Sequence, residues 1–233
     1  MNLVPSASTW FFVTAFGSVG VMAPLAVVVA AWLAVGYRWK YACAWLGLLG
    51  VASGLVALSK IAFIGWGIGA RDLDFTGISG HALMSTAVLP VALFVAALSM
   101  RASLRVTAIV LGLVIGVMVG VSRVVLNAHS ISEVVAGGLL GAVVAVAFAC
   151  IAWRAQAAKT LSPGPVAASL AAVVIALHGV PVPTQQWITQ IALELSGHER
   201  PYIRARWKVQ NYRIPARRTE ALAVPFAVAR AAA

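Results

Sequence analysis

Two neighbouring stretches decide what kind of fold this chain makes: His81–Met100, HALMSTAVLPVALFVAALSM, and Leu104–Val121, LRVTAIVLGLVIGVMVGV. A helix needs about 20 mostly apolar residues to cross the hydrocarbon core of a bilayer, and these two carry a single charge between them, Arg105. Comparable blocks run over Val19–Val35, Tyr41–Phe63, Ile131–Trp153 and Pro165–Pro181. The first and last of the six are short, 17 residues each, and five crossings remain an alternative to six. Trp10–Gly17 is aromatic and reads as an interfacial turn ahead of the first helix. Composition points the same way. Of 233 residues, 62% are hydrophobic and 10% charged, against about 45–50% and about 25% in a soluble domain. The surplus must face lipid. A solvated cytosolic domain, a disordered chain, a collagen-like fibre and a disulfide scaffold are excluded. The expected fold is all-α, a polytopic membrane bundle of about six transmembrane helices.

Seventeen basic residues oppose six acidic ones, a net charge of +11. They fall in short runs between apolar blocks, which suits anchoring in a lipid bilayer and argues against nucleic acid as a partner. Arg38 and Lys40, Arg101 and Arg105, and Arg154 and Lys159 occupy alternate loops. By the positive-inside rule those loops face the cytoplasm, and both termini lie outside. The expected domains are a membrane-embedded part over 1–182 and a basic tail over 183–233, placed outside although it holds eight basic residues from Arg200 to Arg230. The first Lys or Arg is Arg38, so no signal-peptide basic region is expected and insertion should begin with a retained helix. Cys43 and Cys150 lie in apolar segments and read as reduced, buried thiols.

Glycines recur at helical spacing: Gly112, Gly116 and Gly120 in the fourth block, Gly137 and Gly141 in the fifth. Such spacing lets another helix backbone come close. No internal repeat is evident.

Ionisable groups in or beside membrane helices are expensive and mark function. Here they are few, and most sit at the ends of the second to fifth blocks: Lys60, Arg71, Asp72, Asp74, His81, Arg123, His129 and Glu133. The topology brings all these ends to one outer rim. Lys60 and Arg123 suit phosphate oxygens. Ser79-Gly80-His81 opens the third helix, whose N-terminal N–H groups attract anions. His129 and Glu133 are four residues apart on one face, so the carboxylate can orient the imidazole and leave its other nitrogen free to attack. His81 remains to donate a proton. No Cys/His set or second carboxylate cluster suggests a metal site or cofactor. The set reads as metal-independent phosphoryl transfer.

These residues resemble the type-2 phosphatidic acid phosphatase superfamily, whose core is shared with vanadium haloperoxidases. Its third motif, S-R-x5-H-x3-D, is met by Ser122-Arg123, His129 and Glu133, and its second, P-S-G-H, by Ile78-Ser79-Gly80-His81. Its first, K-x6-R-P, survives only as Lys60, with Gly67 and Ile68 in place of Arg-Pro. The resemblance implies a phosphohistidine on His129, oriented by Glu133, with His81 as leaving-group acid. Lys60, Ser79, Gly80, Ser122 and Arg123 would hold the phosphate. Arg71 or Arg200 would be the substitute for the missing arginine, and Ile78 for Pro is expected to loosen the lead-in to the helix.

The expected substrate is a membrane lipid phosphate or pyrophosphate, such as phosphatidate, phosphatidylglycerol phosphate or a polyprenyl diphosphate. The expected location is a bacterial inner membrane, with the site facing the periplasm or exterior. The rivals are a lipid-to-lipid phosphotransferase using the same residues and a non-enzymatic anion or lipid transporter. His178 is expected to be a packed, hydrogen-bonded core residue, and Asp72 and Asp74 to be loop caps. Ser196-Gly197-His198, a second copy of the tripeptide, is expected to be structural because no S-R-x5-H follows it.

Overall fold

The computed structural model describes residues 6–155, 162–205 and 207. The first compact unit extends to Tyr202. Eight helices are described: α1 Ala7–Ala15, α2 Val19–Gly36, α3 Trp39–Trp66, α4 Gly80–Ala96, α5 Ala102–Val125, α6 Ile131–Ala152, α7 Pro163–Leu177 and α8 Thr184–Ser196. Among the described residues there is no strand, only an isolated bridge between Ala70 and Phe75 in the α3–α4 loop. Four helical stretches are long and apolar enough to cross a membrane: Ala7–Gly36, Trp39–Trp66, Ala102–Val125 and Ile131–Ala152. The apolar helices α4 and α7 are shorter. The six expected blocks correspond to α2–α7, and the chain is an all-helical integral membrane protein.

The apolar surplus is spent in two ways. On α6, Val135, Leu139, Val143 and Val146 form an exposed stripe at helical spacing, the face that a bundle turns to lipid. The opposite faces pack around α4, whose side chains from Ala82 to Thr86 are all buried. The glycine stripes make this possible. A Cβ on Gly112 would collide with the Pro90 backbone of α4, and one on Gly116 would come within 2.9 Å of the Ser85 backbone. Glycine there lets α5 lie directly on α4. About 22 Å along α3 from Lys60, Trp45 is fully buried, donates from Nε1 to Ala26 O at 3.0 Å and packs on Phe148. At the same end Arg105 donates to Met100 O and Trp153 O, tying the start of α5 to the end of α6.

Several expectations change. The aromatic N-terminal stretch contains a full helix, α1, capped by Ser6, and not merely a turn. The first compact unit continues past the expected boundary at 182/183 to Tyr202, because α8 packs on α3. Beyond it, Tyr202 N–H donates to Ile64 O at 2.9 Å. Cys43 and Cys150 are exposed, not buried; in a lipid-facing bundle an apolar neighbourhood does not imply burial. Lys159 and most of the basic tail lie outside the described residues.

Candidate active site

Antiparallel helices joined by short links bring alternate ends together. Lys60 lies in the last two turns of α3 and Ser79 caps the start of α4. Arg123 lies in the last turn of α5 and Glu133 in the first turn of α6. His129 sits on the link between α5 and α6, with its backbone N–H bonded to Arg123 O. The electrostatic neighbours of His81 are Arg123, His129 and Lys60, so both imidazoles and both cations share one end of the bundle.

Glu133 organises the site. It is fully buried. Ser130 caps α6 through its side chain, and Glu133 completes a capping box by accepting from Ser130 N–H at 3.2 Å, the arrangement that satisfies two orphan donors at a helix start. The same carboxylate reaches both neighbours. Oε1 accepts from Thr76 N–H at 2.7 Å and from its hydroxyl at 2.6 Å, fixing the α3–α4 loop. Oε2 lies 2.7 Å from His129 Nδ1. An ionised carboxylate only accepts, so Nδ1 must carry the proton and Nε2 presents its lone pair. Glutamate in place of the family's aspartate therefore keeps the histidine bond and also serves the helix cap.

Burial pushes the His129 imidazole below its usual value, and Lys60 and Arg123 push the same way; the hydrogen bond and charge of Glu133 oppose them. Neutral imidazole, the nucleophilic form, is thereby favoured.

The start of α4 is fastened from two sides. Ser79 N–H donates to Glu133 O at 3.1 Å, and Gly137 lets the Ser79 carbonyl rest against α6, where a Cβ would collide with it. Ile78 N–H donates to Ser59 Oγ at 3.0 Å. This corrects the expectation of a loosened lead-in: proline has no N–H, so isoleucine adds an anchor that the family's residue lacks. Gly77, at φ 150°, brings the loop against Lys60.

Among the described residues, three buried polar atoms lack a partner: Ser18 Oγ, Ser79 Oγ and Arg123 Nε. Two of the three belong to this site, and both are donors suited to an anion. Ser122 behaves otherwise. Its buried hydroxyl donates to Val119 O within α5, so the phosphate-binding role expected of it is not one its hydroxyl is placed to fill. Gly80 is the first residue of α4. Arg71 and Arg200 are both exposed, one in the α3–α4 loop and the other just past α8.

The remaining expectations resolve simply. His178 caps α7, donates from Nε2 to Phe12 O at 3.1 Å and packs between the Phe12 and Phe16 rings, but it is half-buried at a helix end and not in the core as expected. Asp74 sits in a turn at φ 48°, its N–H bonded to Arg71 O. His198 bonds through Nδ1 to Gly65 O at 2.7 Å. Four contributors carry no sequence signal of their own: Thr76, Ser59, Thr14, which accepts from Arg123 Nη1 at 3.0 Å, and Gln185, 3.5 Å from Lys60 Nζ. No group of three or more His, Cys, Asp or Glu side chains suited to a metal occurs among the described residues.

A family model described as the PAP2 superfamily matches residues 64–157, the stretch that holds Ser79, His81, Arg123, His129 and Glu133. A Klebsiella pneumoniae protein described as "Uncharacterized 22.5 kDa protein in cps region" is 36% identical over 199 residues, 84% of this chain and 95% of that protein. The chain belongs to the PAP2 superfamily. No solved structure matches it. PAP2 members are phosphatases, which places the chain, at that general level, among phosphoric ester hydrolases acting on phosphorylated substrates. Lys60 lies just ahead of the PAP2 match, and Thr14 and Gln185 lie well outside it.

Proposed function

We propose that this PAP2 protein hydrolyses a membrane lipid phosphate or pyrophosphate through a phosphohistidine on His129, without a metal ion. Phosphatidate, phosphatidylglycerol phosphate and polyprenyl diphosphates belong to that substrate class. The observation that carries the reading is the His129–Glu133 pair at 2.7 Å, set beside unpartnered donors on Ser79 and Arg123. One imidazole nitrogen is held and the other left to attack, while buried N–H and O–H groups await oxygen atoms.

In the first step His129 Nε2 attacks phosphorus and the N–P bond forms as the P–O bond to the leaving group breaks. His81 gives the departing oxygen its proton. In the second step water attacks phosphorus, its proton passes to His81, and the N–P bonding pair returns to Nε2. Lys60, Arg123, Ser79 and the N–H groups opening α4 bind the phosphoryl oxygens, whose charge is greatest in the transition state. Ser122 acts through the packing of α5.

A lipid substrate is favoured because the site lies at the ends of apolar helices, where a tail stays in hydrocarbon while the head group meets the cations. The basic residues Arg38, Lys40, Arg101, Arg105 and Arg154 flank the other helix ends. By the positive-inside rule that arrangement supports a site on the periplasmic or exterior face.

The test is orthophosphate release by detergent-solubilised protein from phosphatidate and from a polyprenyl diphosphate, with excess chelator. Release is expected to persist in chelator, to be blocked by vanadate and to fall at least about 10³-fold in His129→Ala. Turnover that survives the alanine would remove the nucleophile. Dependence on added magnesium would remove the metal-free step, and equal turnover of a soluble phosphate ester would remove the lipid class.

A further inference from the structure

Arg123 is held by a residue remote in sequence. Its Nη1 donates to Thr14 Oγ1 at 3.0 Å across a separation of 109 residues, and Thr14 is itself only 8% exposed. The Nε–H of the same guanidinium is buried without a partner. Nε and the adjacent Nη2 form the edge that can donate in parallel to two oxygens of a phosphoryl group. An anchor at Nη1 thus leaves the useful edge open. It also restrains a long side chain whose rotamers would otherwise have to be ordered when substrate binds.

The anchor stands on a braced support. His178 Nε2 donates to Phe12 O, with its ring 4.6 Å from that of Phe12 and 4.5 Å from that of Phe16, tying α1 to the end of α7. On the other side Gly17 lies against Val119 of α5 and against the backbone of His81, whose carbonyl oxygen would be 3.3 Å from a Cβ there. Thr14 therefore belongs to a short helix fixed at two points independent of Arg123. The corresponding contact on the other cation is poorer. Gln185 is exposed, and its oxygen lies 3.5 Å from Lys60 Nζ.

We propose that Thr14 is a positioning residue of the phosphate clamp, fixing the Arg123 guanidinium so that its Nε edge faces the phosphoryl group. The proposal rests on the phosphatase reading given above. It assigns α1, which lies outside the stretch matched by the family model, a part in substrate binding.

The experiment compares Thr14→Val, which keeps the shape and removes the acceptor, with Thr14→Ser, which keeps the hydroxyl and removes a methyl. Thr14→Ala replaces the valine variant if that chain does not fold. The measurements are steady-state orthophosphate release from phosphatidate and inhibition by vanadate. Thr14→Val is expected to raise both KM and the vanadate inhibition constant about tenfold. Its kcat should change less, and Thr14→Ser should restore both constants to within about twofold of the parent. A packing role reverses that order, because the methyl and not the hydroxyl would then matter. Thr14→Ser as impaired as Thr14→Val, or Thr14→Val indistinguishable from the parent, overturns the proposal. A parent protein that neither releases phosphate nor responds to vanadate overturns the phosphatase reading itself, and this inference with it; that failure is seen in the unmutated chain.

Discussion

The tripeptide Ser-Gly-His occurs twice in this molecule, at residues 79–81 and 196–198, and the two copies sit at opposite ends of helices. Ser79 caps the start of α4, with Gly80 as the first helical residue. Gly197, at φ 69°, closes the end of α8. A helix start offers unpaired N–H groups and a positive dipole end, whereas a helix end offers unpaired carbonyls. The first copy accordingly brings an unpartnered hydroxyl and an imidazole into a cationic cluster. The second spends its imidazole on the carbonyl of Gly65 and stacks it edge-on against Tyr202, docking α8 to α3. The same three residues thus leave a buried hydroxyl unpartnered in one place and act as a fastener in the other. Helix polarity, and not the tripeptide, makes the difference.

The largest expected contrast is between the two histidines. His81→Ala should lower kcat about 10²–10⁴-fold, the usual worth of a general acid. His198→Ala should leave kcat within about twofold and cost about 1 kcal/mol of unfolding free energy, one hydrogen bond. Equal inactivation of both variants would erase the distinction.

A smaller effect extends the comparison to the start of α6. Glu133→Gln retains a residue that can complete the capping box but removes the charge that orients His129, and kcat should fall about 10²-fold. The pH dependence carries a sign. Glu133 raises the His129 value while burial lowers it, so removing the charge takes the imidazole lower still. Neutral nucleophile then persists to more acidic pH, and the acid limb of kcat/KM should move to lower pH in the variant. A limb that moves upward would contradict the pairing.

The smallest effect concerns the two glycines, read by thermal melting. Alanine at 197 must adopt a left-handed backbone and should cost about 1–2 kcal/mol. At Gly80 an added Cβ would meet only Val56 Cγ1 at 3.7 Å, so Gly80→Ala should be neutral or stabilise by up to about 1 kcal/mol. The reverse ranking would mean that helix polarity is not what separates the two copies.

Much of this architecture was legible because membrane helices are written in one dimension. The six apolar blocks reappear as α2–α7, with the block expected to reach Met100 ending at Ala96. The His129–Glu133 pairing was legible too, since a residue just ahead of a helix cap lies within reach of one in the first turn. What stayed hidden depends on partners far along the chain. Thr76 lies 57 residues from Glu133, and Gln185 lies 125 from Lys60; nothing local marks either as a partner. The thiols were misplaced for a different reason. Cys43 and Cys150 have apolar sequence neighbours, and in a bilayer that describes the outside of a helix as well as its inside.

The carboxylate of Glu133 ties the opening turn of α6, the α3–α4 loop and His129 into a single knot. Unwinding that turn would release the His129 imidazole from the tautomer the carboxylate imposes, so on the proposed mechanism a partly folded chain would carry a disarmed nucleophile. On that mechanism, phosphate release would also gauge whether one particular helical turn is closed.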